Sequence, residues 1–146
     1  KQKTAYEITY GDWSSDVCSS DLVSNSAGQD GGGAYGSIGN SLAQCTVVSN
    51  VAGRAGGGVV GGTVTNGIVF YNTAPTNQNF DATTTFAFSD TLPLPTSGAG
   101  NLTEAPGFID VAAGNFRLRH GSPCIDAGTN VSVVEAADLD GGAWRS

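Results

Sequence analysis

The chain has 146 residues, 22 of them glycine, and a formal net charge of −7. Only 13% of its residues are charged, and its abundant Gly, Ser, Thr, Asn and Val disfavour a helical protein, while 39% hydrophobic residues exceed what a disordered chain carries. The acidic balance argues against partners such as nucleic acid or anionic membranes, and no apolar run approaches the roughly 20 residues of a transmembrane segment.

The N-terminal part contains a segment that does not look native. Asp12–Leu22 reads DWSSDVCSSDL, which resembles one reading frame of a common short-read sequencing adapter. We therefore interpret residues 1–22 as an artefactual or chimeric leader, and we expect Asp12–Leu22 to contribute little to any core. Because the chain also begins at Lys1 rather than at Met, we expect it to be a fragment.

A repeat follows this leader. Ser24–Gly33 recurs as Ser49–Gly58, 25 residues later, and Val47–Asn50 is echoed by Val69–Asn72 at an offset of 22. A period in the low twenties is typical of one turn of a β-solenoid and also of a leucine-rich repeat. The second interpretation requires several leucines per repeat, whereas Leu42 is nearly alone, and no helical periodicity accompanies it. The repeat therefore favours a solenoid.

Strand-like alternation lies between the turns of this solenoid. It predicts one stack of strands from Ala43–Val48 and Thr65–Phe70, and another from Gly33–Tyr35 and Gly58–Val60. In the first stack, alternation directs the side chains of Cys45 and Val47 inward and that of Thr46 outward. Gly67 and Val69 are the equivalents of Cys45 and Val47 in the next coil.

The corners of the coils carry asparagine and glycine. Asn25, Asn50 and Asn72 fall at equivalent positions and are predicted to stack into a hydrogen-bonded amide ladder. The glycine runs are predicted to form corners with positive φ. A phosphate-binding loop is the alternative, but the runs lack G-K-[ST] and precede no helix.

Two regions carry a family resemblance. Cys45–Gly58, CTVVSNVAGRAGGG, resembles the repeats of bacterial right-handed parallel β-helix proteins. The C-terminal third resembles the closing segment of the choice-of-anchor Q group. The matching stretches there are APGFID at Ala105–Asp110, GNFRL at Gly114–Leu118, GSPCIDAG at Gly121–Gly128 and DLDG at Asp138–Gly141. The family usually continues after DLDG with a short strand, which this sequence lacks, so a truncated end is expected.

The resemblance implies an all-β, right-handed parallel β-helix with an irregular C-terminal cap, in an extracellular or cell-surface protein. Together with the leader, it divides the chain into coils at 23–90 and a loop and capping segment at 91–146. A solenoid end exposes unpaired strands and needs covering. Five apolar residues of the tail are suited to cover the last coil: Phe108, Ile109, Phe116, Leu118 and Ile125.

Catalytic chemistry finds little support in the coils. Between Val23 and Phe80 the only charged residues are Asp30 and Arg54, which we predict to form a surface ion pair. Glycan-cleaving enzymes need paired carboxylates, or calcium-binding acids with a basic residue, on one face. The three cysteines lack C-x-x-C spacing and predict neither a zinc site nor a disulfide framework. No catalytic, cofactor-binding or metal-binding residue is therefore assigned, and no cofactor is expected.

Weaker motifs occur in the tail. Asp138–Gly141 resembles the start of a calcium loop, but its short spacing and missing distal Glu favour a turn. Asp126 is predicted to cap backbone N–H groups in the Asp126–Gly128 turn, and His120 to be exposed without a catalytic partner. The glycosylation triplets at Asn101–Thr103 and Asn130–Ser132 are discounted as chance matches.

Two functions stay open from the sequence. The first is a non-catalytic surface module, structural, adhesin-like or carbohydrate-binding, whose partners are glycans or other surface components. The second is a fragment of a polysaccharide lyase or glycoside hydrolase whose active coils lie upstream. Clustered Asp, Arg and His on an upstream coil would favour the enzyme.

Overall fold

A computed structural model describes residues 17–18, 21–37 and 39–129, and it is all-β, with no helix in these ranges. Each strand is only two to four residues long. In chain order the strands are β1 Val17–Cys18, β2 Asp21–Val23, β3 Ser26–Ala27, β4 Ala34–Tyr35, β5 Ser41–Ala43, β6 Thr46–Val48, β7 Val51–Ala52, β8 Val59–Val60, β9 Thr63–Thr65, β10 Ile68–Phe70, β11 Thr85–Ala87, β12 Asp90–Thr91, β13 Phe108–Asp110 and β14 Asn115–Leu118.

The strands from β1 to β12 stack in parallel, one coil upon the next. One sheet has the order β1-β5-β9-β11, a second has the order β12-β10-β6-β2, and the pairs β3-β7 and β4-β8 form two smaller sheets. The chain is therefore a parallel β-solenoid of about three turns, as predicted. No helix of the described part is both long and apolar enough to cross a membrane.

The core is a narrow column of aliphatic side chains inside the coils. Val47 pairs in register with Leu22 on one side and with Val69 on the other, and all three are buried. Leu42, Val64 and Phe86 form an equivalent buried row in the other large sheet. Burial of each such side chain stabilises the fold by about 1.5–3 kcal/mol. The predicted burial of Cys45 and Val47 is confirmed, whereas Thr46 is half-buried rather than exposed.

One prediction about the leader is wrong at its last residue. Leu22 is 1% exposed and belongs to the core cluster, and its strand pairs with β6. The physical reason is register, because Leu22 lies 25 residues before Val47 and fills the position that the first coil must supply. The described backbone of Val17–Cys18 likewise pairs with β5. The interpretation of residues 1–22 as an artefact of sequencing stays a prediction.

The predicted continuous strand Ala43–Val48 is also wrong, because a corner divides it into β5 and β6. Gln44 adopts φ of 54° there, and its counterparts in the next two coils, Asn66 and Phe88, adopt 52° and 49°. These left-handed residues turn the chain between the two large sheets. Glycine supplies a different corner, where Gly31 and Gly56 have φ of 69° and 61°.

The predicted asparagine ladder is confirmed. Asn50 Oδ1 accepts hydrogen bonds from the backbone N and Nδ2 of Asn25, at 2.9 and 3.0 Å. Asn72 Oδ1 accepts the equivalent pair from Asn50, also at 2.9 and 3.0 Å. A fourth member that the sequence did not predict, Asn79, accepts the pair from Asn72 at 3.0 and 3.1 Å. The ladder thus runs through all the described coils.

Residues 105–129, here called the clasp, form an antiparallel hairpin of β13 and β14 and a following turn. The clasp lies against the outer face of the β12-β10-β6-β2 sheet. Phe108 packs on Tyr71 with ring centroids 6.4 Å apart, and Asn66 Nδ2 donates to Thr129 O at 2.7 Å. At the other end of the sheet, Asp21 lines a cavity with Gly114–Arg117.

The tail was expected to cover the last coil, and the structure shows that it covers the side of several coils instead. Phe108 is buried and Phe116 and Leu118 are half-buried, but Ile109 and Ile125 are 44% and 46% exposed. The reason lies in the sheet, whose strands place a row of apolar residues outside the core. Val23, Val48 and Phe70 pair in register along this row and are all buried.

Candidate functional site

The predicted ion pair between neighbouring coils is confirmed. Arg54 Nε donates to Asp30 Oδ1 at 2.8 Å, and Arg54 Nη2 contacts Asp30 Oδ2 in a second, parallel contact. Asp30 is held one coil before Arg54 by a parallel bridge to Ala55. The hydrogen bond from Arg54 is the main reason that the pKa of Asp30 lies below its usual range. The pair faces solvent, which screens it.

Tyr35 is folded back against Gly31, the residue that follows Asp30. It is 42% exposed on β4, and its position depends on a tight corner at Gly31. A Cβ on Gly31 would stand 2.6 Å from Ala34 O and 2.8 Å from Tyr35 Cβ, so only glycine allows this approach. We call Asp30, Tyr35 and Arg54 the Tyr35 surface.

Tyr71 is 44% exposed, but its ring also packs against other aromatic side chains of the molecule. Its ring meets Phe70 edge-on with centroids 5.0 Å apart and also contacts Phe108 of the clasp. Tyr71 follows β10 beside the clasp, whereas Tyr35 belongs to the β4-β8 sheet. The structure therefore does not bring the two tyrosines together, and it gives Tyr71 a packing role.

A second polar site, which the sequence did not predict, joins the solenoid to the clasp. Cys124 Sγ donates to Asp90 Oδ2 at 3.0 Å, and the other carboxylate oxygen, Oδ1, is buried with no hydrogen-bond partner among the described residues. Burial, reinforced by the negative charge of Glu104, raises the pKa of Asp90 against the opposing effect of the Cys124 hydrogen bond. The two residues are 34 positions apart, and no shared motif connects them.

The thiol of this site is not set up for nucleophilic chemistry. Burial and the contact with the Asp90 carboxylate raise the pKa of Cys124 to about 12, so the thiol stays protonated at neutral pH. A nucleophilic cysteine needs the opposite shift, produced by a nearby positive charge or a helix N-terminus. Cys124 is a free cysteine that serves as a hydrogen-bond donor.

The remaining tail residues have structural positions. His120 is exposed, as predicted. The cap predicted at Asp126 is not seen among the described residues, where Asp126 is exposed with φ of 58°. In the preceding turn, Ser122 Oγ accepts from Cys124 N at 3.1 Å. Asn101 supports the last coil by accepting from Ser89 N at 3.1 Å. Asp138–Gly141 and Asn130–Ser132 lie outside the described residues.

Among the side chains that the structure describes, no group of three or more His, Cys, Asp or Glu residues is placed to hold a metal ion. Comparison with family models, with curated proteins and with solved structures finds no match to this chain. The fold is thus shown by the structure, and the family resemblance stays a prediction.

Proposed function

We propose that this chain is a non-catalytic module of a β-helix protein that binds glycans through the Tyr35 surface. The observation that carries the proposal is an exposed tyrosine, folded against the residue that follows Asp30, together with an Asp–Arg pair that joins two coils. A sugar offers both groups a partner, since its C–H face can pack on the ring and its hydroxyls can bond to the pair.

The geometry gives this surface a fixed shape. Asp30 and Arg54 are placed by adjacent backbone coils, and Tyr35 by the corner at Gly31. A surface that is already ordered loses little conformational entropy when it binds. Support for this function is therefore the combination of an exposed ring, oriented polar groups and a rigid base.

We further propose that the module belongs to a bacterial protein of the choice-of-anchor Q type and is secreted or displayed at the cell surface. Support comes from the sequence resemblance, above all GSPCIDAG at Gly121–Gly128. The solenoid with its side-packed clasp is consistent with that resemblance at the level of the fold.

The test is retention of the intact chain on a glycan array, compared with two variants at one position. Tyr35→Ala should weaken retention about two- to tenfold, because an aromatic contact contributes about 0.5–1.5 kcal/mol. Tyr35→Phe keeps the ring and should retain binding. Equal retention by all three proteins, or none by any, would reject the Tyr35 surface and favour a structural module.

The enzyme alternative is separated by a different measurement. The intact chain is incubated with uronic-acid and neutral polysaccharides, with and without calcium, and released products are measured. We expect none, because one acid paired with one arginine cannot supply an acid, a base and a charge stabiliser together. Product release that is lost in Asp30→Asn would overturn the non-catalytic proposal.

A further inference from the structure

A cavity of about 220 Å³ lies between the outer face of β10 and β12 and the clasp. Apolar cavities of about 150 Å³ accommodate a benzene ring, so this one has room for a small organic molecule. Its apolar walls come from both parts of the molecule: Ile68, Phe88 and Leu102 from the solenoid side and Leu118 from the clasp. A ligand here would contact the solenoid and the clasp at once.

Asp90 is the only charged residue among the described residues that line this cavity. It is 2% exposed, its Oδ2 is occupied by the Cys124 thiol, and its Oδ1 has no partner among the described residues. A buried acceptor without a donor destabilises the folded chain, and more so when the acceptor is charged. Oδ1 itself has almost no accessible surface, so a turn of the carboxylate towards the cavity would be needed for a ligand to donate to it and remove this cost.

The residues around Asp90 decide which charge a ligand in this cavity should carry. Glu104 adds a second negative charge near Asp90, and the described part of the cavity lining contains no basic side chain. An anionic ligand would be repelled, and a neutral donor would leave the carboxylate charge uncompensated. A cationic N–H donor satisfies the hydrogen bond and the charge together.

We propose that this cavity binds a small primary ammonium ion with a short apolar body, its N–H group on Asp90 Oδ1 and its hydrocarbon part against Ile68, Leu102 and Leu118. The ring of Phe88 lines the same cavity and adds an aromatic wall that suits a cation. A metal ion fits less well, because the described residues offer no cluster of three acidic, His or Cys ligands here. This site is separate from the Tyr35 surface and does not depend on glycan binding.

The experiment uses n-butylammonium as the probe and 1-butanol as its uncharged counterpart, each titrated into the intact chain. Binding is followed by methyl NMR of Ile68, Leu102 and Leu118. Butylammonium should give saturable shifts of these methyls, and butanol should bind at least about tenfold more weakly, because it lacks the charge-assisted hydrogen bond.

Three variants locate the interaction. Asp90→Asn should abolish the preference for butylammonium over butanol, whereas Asp126→Asn removes an exposed acid of the clasp and should leave the preference unchanged. Leu118→Phe should weaken both probes by filling the cavity, which keeps the test valid if Asp90→Asn fails to fold. Absence of saturable shifts would show that water alone fills the cavity. Equal affinity for the two probes, or a preference that survives in Asp90→Asn, would also overturn the proposal.

Discussion

At the scale of single residues, one corner of the solenoid is built from side-chain amides, and glycine makes room for them. A Cβ on Gly33 would lie 2.9 Å from Asn50 Nδ2, and one on Gly58 would lie 2.8 Å from Asn72 Nδ2. Each glycine thus leaves space for the asparagine of the next coil. Asn79 stands one coil after Gly58, pairing its backbone oxygen with Val59 N at 2.8 Å, and its own amide completes the ladder.

We predict that Asn50→Ala lowers the free energy of unfolding by about 2–4 kcal/mol, because it removes the buried acceptor of both Asn25 N and Asn25 Nδ2. Urea unfolding of the variant measures the loss. Gln29→Ala, which removes an exposed amide, should change the free energy by less than about 0.5 kcal/mol. Similar values for the two variants would mean that the ladder does not stabilise the fold.

The sequence predicted three members of this ladder and missed the fourth for a clear reason. Asn25, Asn50 and Asn72 are separated by 25 and 22 residues, which is one coil. Asn79 follows Asn72 by only 7 residues, so it breaks the period on which the prediction depended. It can be recognised only after the backbone shows that no further coil supplies an asparagine to Asn72.

At the scale of elements, the sequence predicted which side chains of a strand point into the core, but it did not predict where the strands end. Val47 and Val69 occupy the core as alternation requires. The corners at Gln44, Asn66 and Phe88 share no residue type, and none is glycine, so composition did not reveal them. The positions of these corners are fixed by the stacking of the coils, since each coil must turn at the same place as the coil before it.

We predict that Val47→Asp lowers the free energy of unfolding by about 4 kcal/mol or more, because it places an unpaired charge in a narrow apolar column. Val47 has no exposed surface, and the residues that pair with it in register, Leu22 and Val69, are apolar and buried. Thr63→Asp adds the same charge to an exposed strand position and should cost about 1 kcal/mol or less. Thermal and urea unfolding compare the two variants, and equal losses would contradict the assigned facing of β6.

At the scale of the whole molecule, the clasp turns an open sheet face into a second, smaller packing layer. The tail's apolar residues were recognised from the sequence, but the face that they cover was not. That face is decided by Val23, Val48 and Phe70, which become one row only when the coils are stacked. The Asp90–Cys124 site was unpredictable for the same reason, because it exists only where clasp and solenoid meet.

Two carboxylates give the molecule opposite responses to pH. The pKa of Asp90 is raised by burial, so its contribution to stability is complete below the unfolded pKa and is lost as pH rises through the folded pKa. Burial alone would also raise the pKa of Asp81, but hydrogen bonds from Thr83, Thr84 and Gly61 N outweigh it and lower that pKa. The contribution of Asp81 is therefore present above the unfolded pKa and is lost as pH falls through the folded pKa.

We predict that Asp90→Asn gains stability relative to the native chain as pH rises from about 3 to 7, across the ordinary aspartate pKa of about 3.9. The native chain must keep a desolvated carboxylate ionised at the upper end of this range, whereas the amide carries no charge at any pH. Asp81→Asn is the matched control and should show the reverse trend, losing stability relative to the native chain as pH rises. Urea unfolding of the three proteins at several pH values measures both trends. A difference between Asp90→Asn and the native chain that is constant with pH would mean that the pKa of Asp90 is the same in the folded and the unfolded chain, and it would contradict the raised pKa.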